Sequence, residues 1–344
     1  MSKAQINPKL IQLLTNTSIA DIPDSPTRSW LPGKYAMTVY KQKDQVKRKF
    51  PENHFMLTCN SCGRKGKYDV GMMVINPDLD NITENIQTTG YFRCKHCNEA
   101  GDWKLPNEFY LRSTVDLLSK SMDGDFPIEG VCTIGENRLY DGSKHIFTSD
   151  AETYLLNQLE KDPSNAYIWN RLGNLYDKGG RPELAVSVLE HSIGLDFYQT
   201  ESYYTLATLL FDIAKYEEAA SYFRKALVTA YKYDKLDAKG LRDLLAVGLE
   251  KLFYMHQRSN GEISFVPTKE EIEAANTSVS GKESYYLDTD IEVFPGDPQS
   301  FYPIAEMYMG KMANRIPKRD RVWERPNLLK RKKVKKRHKR TKRK

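Results

Sequence analysis

The feature that most constrains this chain is a repetition at a 34-residue period between Ser149 and Ala230. Trp169, Leu172, Gly173, Tyr176, Ala185 and Leu189 return as Tyr203, Leu206, Ala207, Leu210, Ala219 and Phe223. Within each half-unit, apolar residues recur at three- and four-residue steps, which predicts amphipathic helices in pairs. A single helix pair cannot bury its own apolar face, so such units stack into an array. Gly173 and Ala207 are small where one helix must approach its partner, and Ala185 and Ala219 answer them across the contact. Gly179-Gly180 followed by Pro182 breaks the chain between the helices of the first pair, with proline tolerated at the next helix start.

The spacing Trp169-x2-Leu172-Gly173-x2-Tyr176-x8-Ala185, with the second copy ending Ala219-x3-Phe223-x2-Ala226, resembles the tetratricopeptide repeat. Upstream, Ser149 to Glu152 has the form of a capping box opening a helix that contains Leu155 and Leu159, and Pro163 falls where the family carries its turn proline. Two full repeats and a preceding helix need capping by flanking helices, since stacked arrays require about three units. The resemblance implies a concave face formed by the first helix of each pair. It places Tyr167, Asn170, Asn174, Tyr204, Thr208 and Phe211 in a groove for a protein or peptide partner. The plainer alternative leaves these side chains solvated or packed on carboxyl-terminal helices. Family members that clamp a carboxylate use Lys and Arg in the groove, whereas here Arg171 stands near Asp177 and Asp212. From Ser149 to Ala230 there are 12 acidic against 7 basic residues, which favours a basic or neutral partner.

Four of the five cysteines form two Cys-x-x-Cys pairs, Cys59/Cys62 and Cys94/Cys97, and Cys132 is left over. That is poor disulfide arithmetic and good metal arithmetic. Two thiolates three positions apart grip one ion from a tight turn, and two such turns complete a tetrahedron around Zn2+. Gly63 and Asn98, directly after each pair, tolerate the left-handed backbone such turns need. The strand-like runs Phe55–Leu57, Tyr68–Ile75 and Tyr91–Arg93 beside the pairs resemble a zinc ribbon. Four protein ligands make the expected single zinc structural, with no open position for chemistry. His54 or His96 in place of one thiolate, and a redox Cys-x-x-Cys, are the alternatives.

The net charge of +7 has to be divided. Lys330 to Lys344 holds 12 Lys or Arg and no acid, leaving 40 basic against 45 acidic groups in the remaining 329 residues, a net −5. The tail cations Lys330, Arg331, Lys332, Lys333, Lys335, Lys336, Arg337, Lys339 and Arg340 are therefore candidate phosphate contacts, binding RNA or DNA through counterion release and without base stacking. A nuclear address or a solubilising appendage is the competing account. Nine basic residues between Lys34 and Lys67 flank the first cysteine pair, as a solvated face or as a second phosphate-facing patch.

The resulting expectation is an α+β chain divided at 1–33 (helix from Asn7-Pro8, then an extended linker), 34–105 (ribbon), 106–148 (connecting helix and a hairpin at Asp141-Gly142), 149–257 (array with a capping helix from Leu236), 258–316 (mixed) and 317–344 (basic tail, disordered alone). No stretch approaches the about 20 apolar residues of a membrane helix, and the amino terminus lacks a secretory-type apolar run, which predicts a cytoplasmic protein, or a nuclear one in a eukaryote. No Gly-rich phosphate loop, Gly-x-Ser-x-Gly or His-Glu-x-x-His is present, so the expected role is non-enzymatic. It is an adaptor that joins a protein partner to nucleic acid, RNA or ribonucleoprotein favoured; the alternative is a protein-only scaffold or chaperone-like factor.

Overall fold

The computed structural model describes residues 3–76, 86–122, 131–275 and 291–322. The stretch Lys330–Lys344, and with it the tail expectation, lies outside the described residues.

The helical array consists of α4 (Thr148–Lys161), α5 (Ala166–Lys178), α6 (Pro182–Leu195), α7 (Thr200–Asp212) and α8 (Tyr216–Thr229), closed by α9 (Ala238–Arg258). The repeat residues behave as their spacing requires. Trp169, Leu172, Tyr176, Leu206 and Leu210 are wholly buried between helices. A Cβ on Gly173 would stand 2.6 Å from Leu189 Cδ2, so only glycine lets α5 approach α6 this closely. Pro182 opens α6 at the first helical position, where its missing N–H costs nothing.

α4 begins differently from the expected Ser149 cap. Asp150 Oδ2 accepts from the Phe147 backbone N–H, and the helix starts at Thr148. Glu152 is wholly buried and takes no part in capping. It shares an inward stripe with Leu155 and Leu159, at i, i+3 and i+7.

The first 46 residues dress this array. Asn7 Oδ1 caps α1 (Pro8–Thr15), accepting from Lys9 N–H, and α1 lies on α4. Ile6, Leu10 and Ile11 are fully buried, and Ile22 and Leu31, in the stretch expected as a linker, also enter the array's core. α2 (Ala36–Lys41) packs on α6.

Among the described residues, two small three-stranded sheets sit between these helical parts. In the first, β1 (His54–Cys59) pairs antiparallel with β2 (Lys65–Asp69) on one side and β5 (Trp103–Lys104) on the other. In the second, β3 (Met73–Ile75) pairs antiparallel with β4 (Gln87–Thr88) and parallel with β6 (Cys132–Ile134). The run Tyr68–Ile75, expected as one strand, therefore splits across two sheets. Asp69 Oδ1 accepts from Gly71 N–H and Asn53 N–H and turns the chain between them. Tyr91–Arg93 forms no strand, and the expected hairpin is reduced to a single bridge between Arg138 and Lys144. Phe55, Leu57, Tyr68, Phe92, Trp103, Phe109 and Phe147 make a second core between the sheets and α3 (Asn107–Met122).

Tyr91 and Phe92 sit astride the boundary. Tyr91 belongs to the helical core, edge-on to Tyr176 at 5.3 Å, while Phe92 belongs to the sheet core, 5.2 Å from Trp103. Adjacent residues of an extended segment point to opposite sides, so one peptide unit stitches the two cores together.

At the carboxyl end, Asp237 caps α9 and Thr268/Glu271 form a capping box on α10 (Lys269–Ala274). From Pro298 the chain runs through a 3-10 turn, α11 (Tyr302–Tyr308) and a second 3-10 stretch, all packed on α9.

Candidate metal centre and binding groove

Cys59 ends β1 and Cys62 lies in the turn after it; Cys94 and Cys97 lie in a second turn. The two turns are built alike. Gly63 N–H donates to Cys59 O at 2.8 Å with φ +70°, and Asn98 N–H donates to Cys94 O at 2.9 Å with φ +70°. Each chain then doubles back, Cys59 N–H onto Arg64 O and Cys94 N–H onto Glu99 O. The four Sγ atoms lie within 4.8 Å of one another, with Cys59–Cys97 at 3.6 Å and Cys62–Cys94 at 3.7 Å. A tetrahedron of thiolates with metal–sulfur bonds of about 2.3 Å has edges of about 3.8 Å, so the set fits one ion. Neither imidazole joins it: His54 Nδ1 stands beside Glu52, and the His96 backbone N–H, not its ring, faces Cys94 Sγ at 3.4 Å.

The electrostatics of the cluster suit a cation. At Cys94, burial opposes ionisation but is outweighed by N–H groups of Cys97 and His96, which bring the thiol down to about 6. At Cys97, burial and the neighbouring thiols push it up to about 12. One sulfur ionises readily and its neighbours then resist; a divalent ion removes that conflict.

The second turn is anchored far more deeply than the first. Asn98 Nδ2 donates to Ile6 O and Asp24 O, both at 2.8 Å, and Arg93 Nε donates to Asn98 O. Arg93 Nη1 pairs with Glu152 Oε2 at 3.2 Å. The same buried carboxylate accepts from Asn7 Nδ2, Tyr91 OH and Tyr176 OH. Four segments of chain thus meet on Glu152, which sequence reading missed as a junction. The signal was a carboxylate on an otherwise apolar helix stripe.

The expected groove residues divide into two groups. Asn170 is fully buried, donating to Ser202 Oγ at 2.7 Å. Asn174 is half-buried between Asn170 and Thr205. Tyr167 stacks edge-on to Tyr140 and carries Arg171 over its ring, while Arg171 itself pairs with Glu201. Tyr204, Thr208 and Phe211 are half-buried along α7; Tyr204 meets Phe223, and Phe211 meets Tyr216 and Tyr254 with Lys251 Nζ 4.1 Å over its ring. Where α5 faces the second sheet, a cleft of about 380 Å3 opens, lined by Asn174, Leu175 and Lys178 on one side and by Val74, Ile134 and Phe50 among those opposite.

Two of the cations assigned to the ribbon flank lie here as well. Lys47 N–H donates to Asp212 Oδ2 at 3.0 Å, and Lys49 Nζ lies 3.4 Å from Asp177 Oδ2. No local periodicity marks this crossing, because it depends on residues more than 120 positions apart.

Among the described residues no helix is long and apolar enough to cross a membrane. A family model for the tetratricopeptide repeat matches residues 166–198 and 200–227. A search among curated proteins returned no match.

Proposed function

We propose that this chain is a non-enzymatic adaptor. In this reading the concave side of α5, α7 and α9 holds an extended segment of a protein partner. One structural zinc closes on Cys59, Cys62, Cys94 and Cys97, and the ribbon flank and basic tail associate with RNA or a ribonucleoprotein. The observation that carries the reading is the pairing of a closed four-thiol cluster with a partly aromatic groove on the helical array. The first has no free ligand position and the second offers surface without a set of reacting groups. Zinc is favoured over other ions because four thiolates in a compact tetrahedron match its softness and geometry.

The nucleic-acid half is supported by the outer face of the first sheet. Thr58 stands opposite both Lys65 and Lys104, and Met56 opposite Lys67. Lys65, Lys67 and Lys104 are exposed and make no ion pair among the described residues. Unpaired cations on one flat face track a phosphate backbone without reading bases.

The test is retention of RNA on a filter by the full chain, by a deletion of Lys330–Lys344, and by K65E/K67E/K104E. The reading expects retention to fall in both variants. In the full chain it should fall by about 10³–10⁵-fold between about 50 and 200 mM salt if six to ten phosphates are engaged. Retention unchanged in both variants leaves a protein-only scaffold.

A further inference from the structure

The concave groove is not empty, because the chain's own residues 46–50 cross it. Leaving α2, Val46 packs against the helical core. Lys47 then gives its backbone N–H to Asp212 of α7, Lys49 gives its ammonium to Asp177 of α5, and Phe50 lines the cleft beside Asn174, Leu175 and Lys178. Arg48 points away, to Glu52 and Asp69 of the ribbon side. The stretch has no helical or strand pairing of its own, and Lys47, Arg48 and Lys49 are exposed. It is held by few contacts, all of kinds that another extended chain can supply.

We infer that residues 46–50 are an internal stand-in for the groove's partner, and that this partner is an extended basic protein segment. It would present a backbone N–H to Asp212, a Lys or Arg two residues later to Asp177, and an apolar side chain next to that in the cleft. The inference rests on the reading of the array as a protein-binding groove and names the chemistry of what it takes.

Two observations select this occupant. Asp177 is only 9% exposed, and burial raises its pKa while Lys49 opposes that rise. Stripping Lys49 away without replacement would leave a buried carboxylate uncompensated, so a displacing chain must bring its own cation. Asp212 accepts a main-chain N–H, which an extended peptide offers at any residue except proline.

The test uses a fluorescent peptide of residues 45–52, Gln-Val-Lys-Arg-Lys-Phe-Pro-Glu, titrated into the full chain by anisotropy. A second peptide carries Glu in place of its Lys and Arg. K49A/F50A, which weakens the internal occupant, should bind the basic peptide about tenfold more tightly than the wild-type chain, because a larger share of grooves is open. D177N/D212N should lose that binding about tenfold or more. A measurement on the unmodified chain does not depend on variant folding: saturating basic peptide should speed trypsin cleavage at Lys47, Arg48 and Lys49 several-fold. Equal affinity in K49A/F50A and wild type, or cleavage unaffected by the peptide, overturns the inference. Tighter binding of the acidic peptide overturns it as well, yet keeps the array as a protein-binding groove. If neither peptide binds while RNA competes with trypsin for the same segment, the groove reading itself fails.

Discussion

The two cysteine turns share backbone geometry and differ in what stands behind them. The first, Cys59 to Gly63, is carried on β1, and its neighbours Asn60, Ser61, Gly63 and Arg64 are exposed. The second, Cys94 to Asn98, is backed by Arg93, by the arm of Ile6 and Asp24, and through Glu152 by the array. Metal binding needs both turns equally. Of the two turns, the second is the one tied to the helices. Equivalent ligands therefore carry unequal structural consequences, and the inequality is measurable.

The largest effect is common to both turns. Cys59→Ser and Cys94→Ser each remove a ligand from a site whose loading contributes about 10–16 kcal/mol in small zinc domains. Each should abolish stoichiometric metal and collapse the environment of Trp103, read by its fluorescence. A difference emerges in the helices: Cys94→Ser should lower the helical melting transition, and Cys59→Ser should leave it nearly in place. Equal shifts would break the comparison.

Next comes the junction behind the second turn. Arg93→Ala leaves Glu152 buried without its cation, which costs about 3–5 kcal/mol. Denaturant unfolding followed at the helical signal should show that loss, and a loss below about 1 kcal/mol would mean that Tyr91, Tyr176 and Asn7 suffice for the carboxylate. Asn98→Ala removes two side-chain hydrogen bonds to the arm and should cost about 2–3 kcal/mol. Gly63→Ala strains one left-handed residue with open space around its Cβ and should cost about 1 kcal/mol. Reversal of that order in melting experiments contradicts the asymmetry.

The last effect, comparable with that of Gly63→Ala and confined to a pH window, concerns the far end of the arm. Glu190 accepts from Lys34 N–H, and burial raises its pKa to about 7. Because the folded state holds the proton more tightly than the unfolded chain, Glu190 contributes stability as pH falls from about 7 toward about 5, and that contribution fades as pH rises. Glu190→Gln should flatten this slope by about 1–2 kcal/mol across the window. Parallel stability-versus-pH curves for the two proteins would count against it.

Much of this arrangement is legible in the chain. The 34-residue echo of Trp169 in Tyr203, the twin Cys-x-x-Cys turns and the Asn7-Pro8 cap are local patterns set by backbone geometry. What the sequence hides is long-range. Glu152 looks like a capping residue because Ser149 stands three positions before it, but Arg93 and two tyrosines draw it inward. Asn170 sits at a groove position by repeat register, and Ser202 on α7 turns it into the core. The parallel pairing of β3 with β6 and the crossing of residues 46–50 join segments with no shared period. No reading of helix or strand repeats reaches them.

The most direct test of the central claim is the metal content of the purified chain, by mass spectrometry of the intact protein alongside elemental analysis. The account predicts one zinc per chain, bound by four deprotonated sulfurs, and its loss in either cysteine variant. A chain that folds with its Trp103 environment intact while carrying no metal, or with Cys59–Cys62 and Cys94–Cys97 as disulfides, would contradict it.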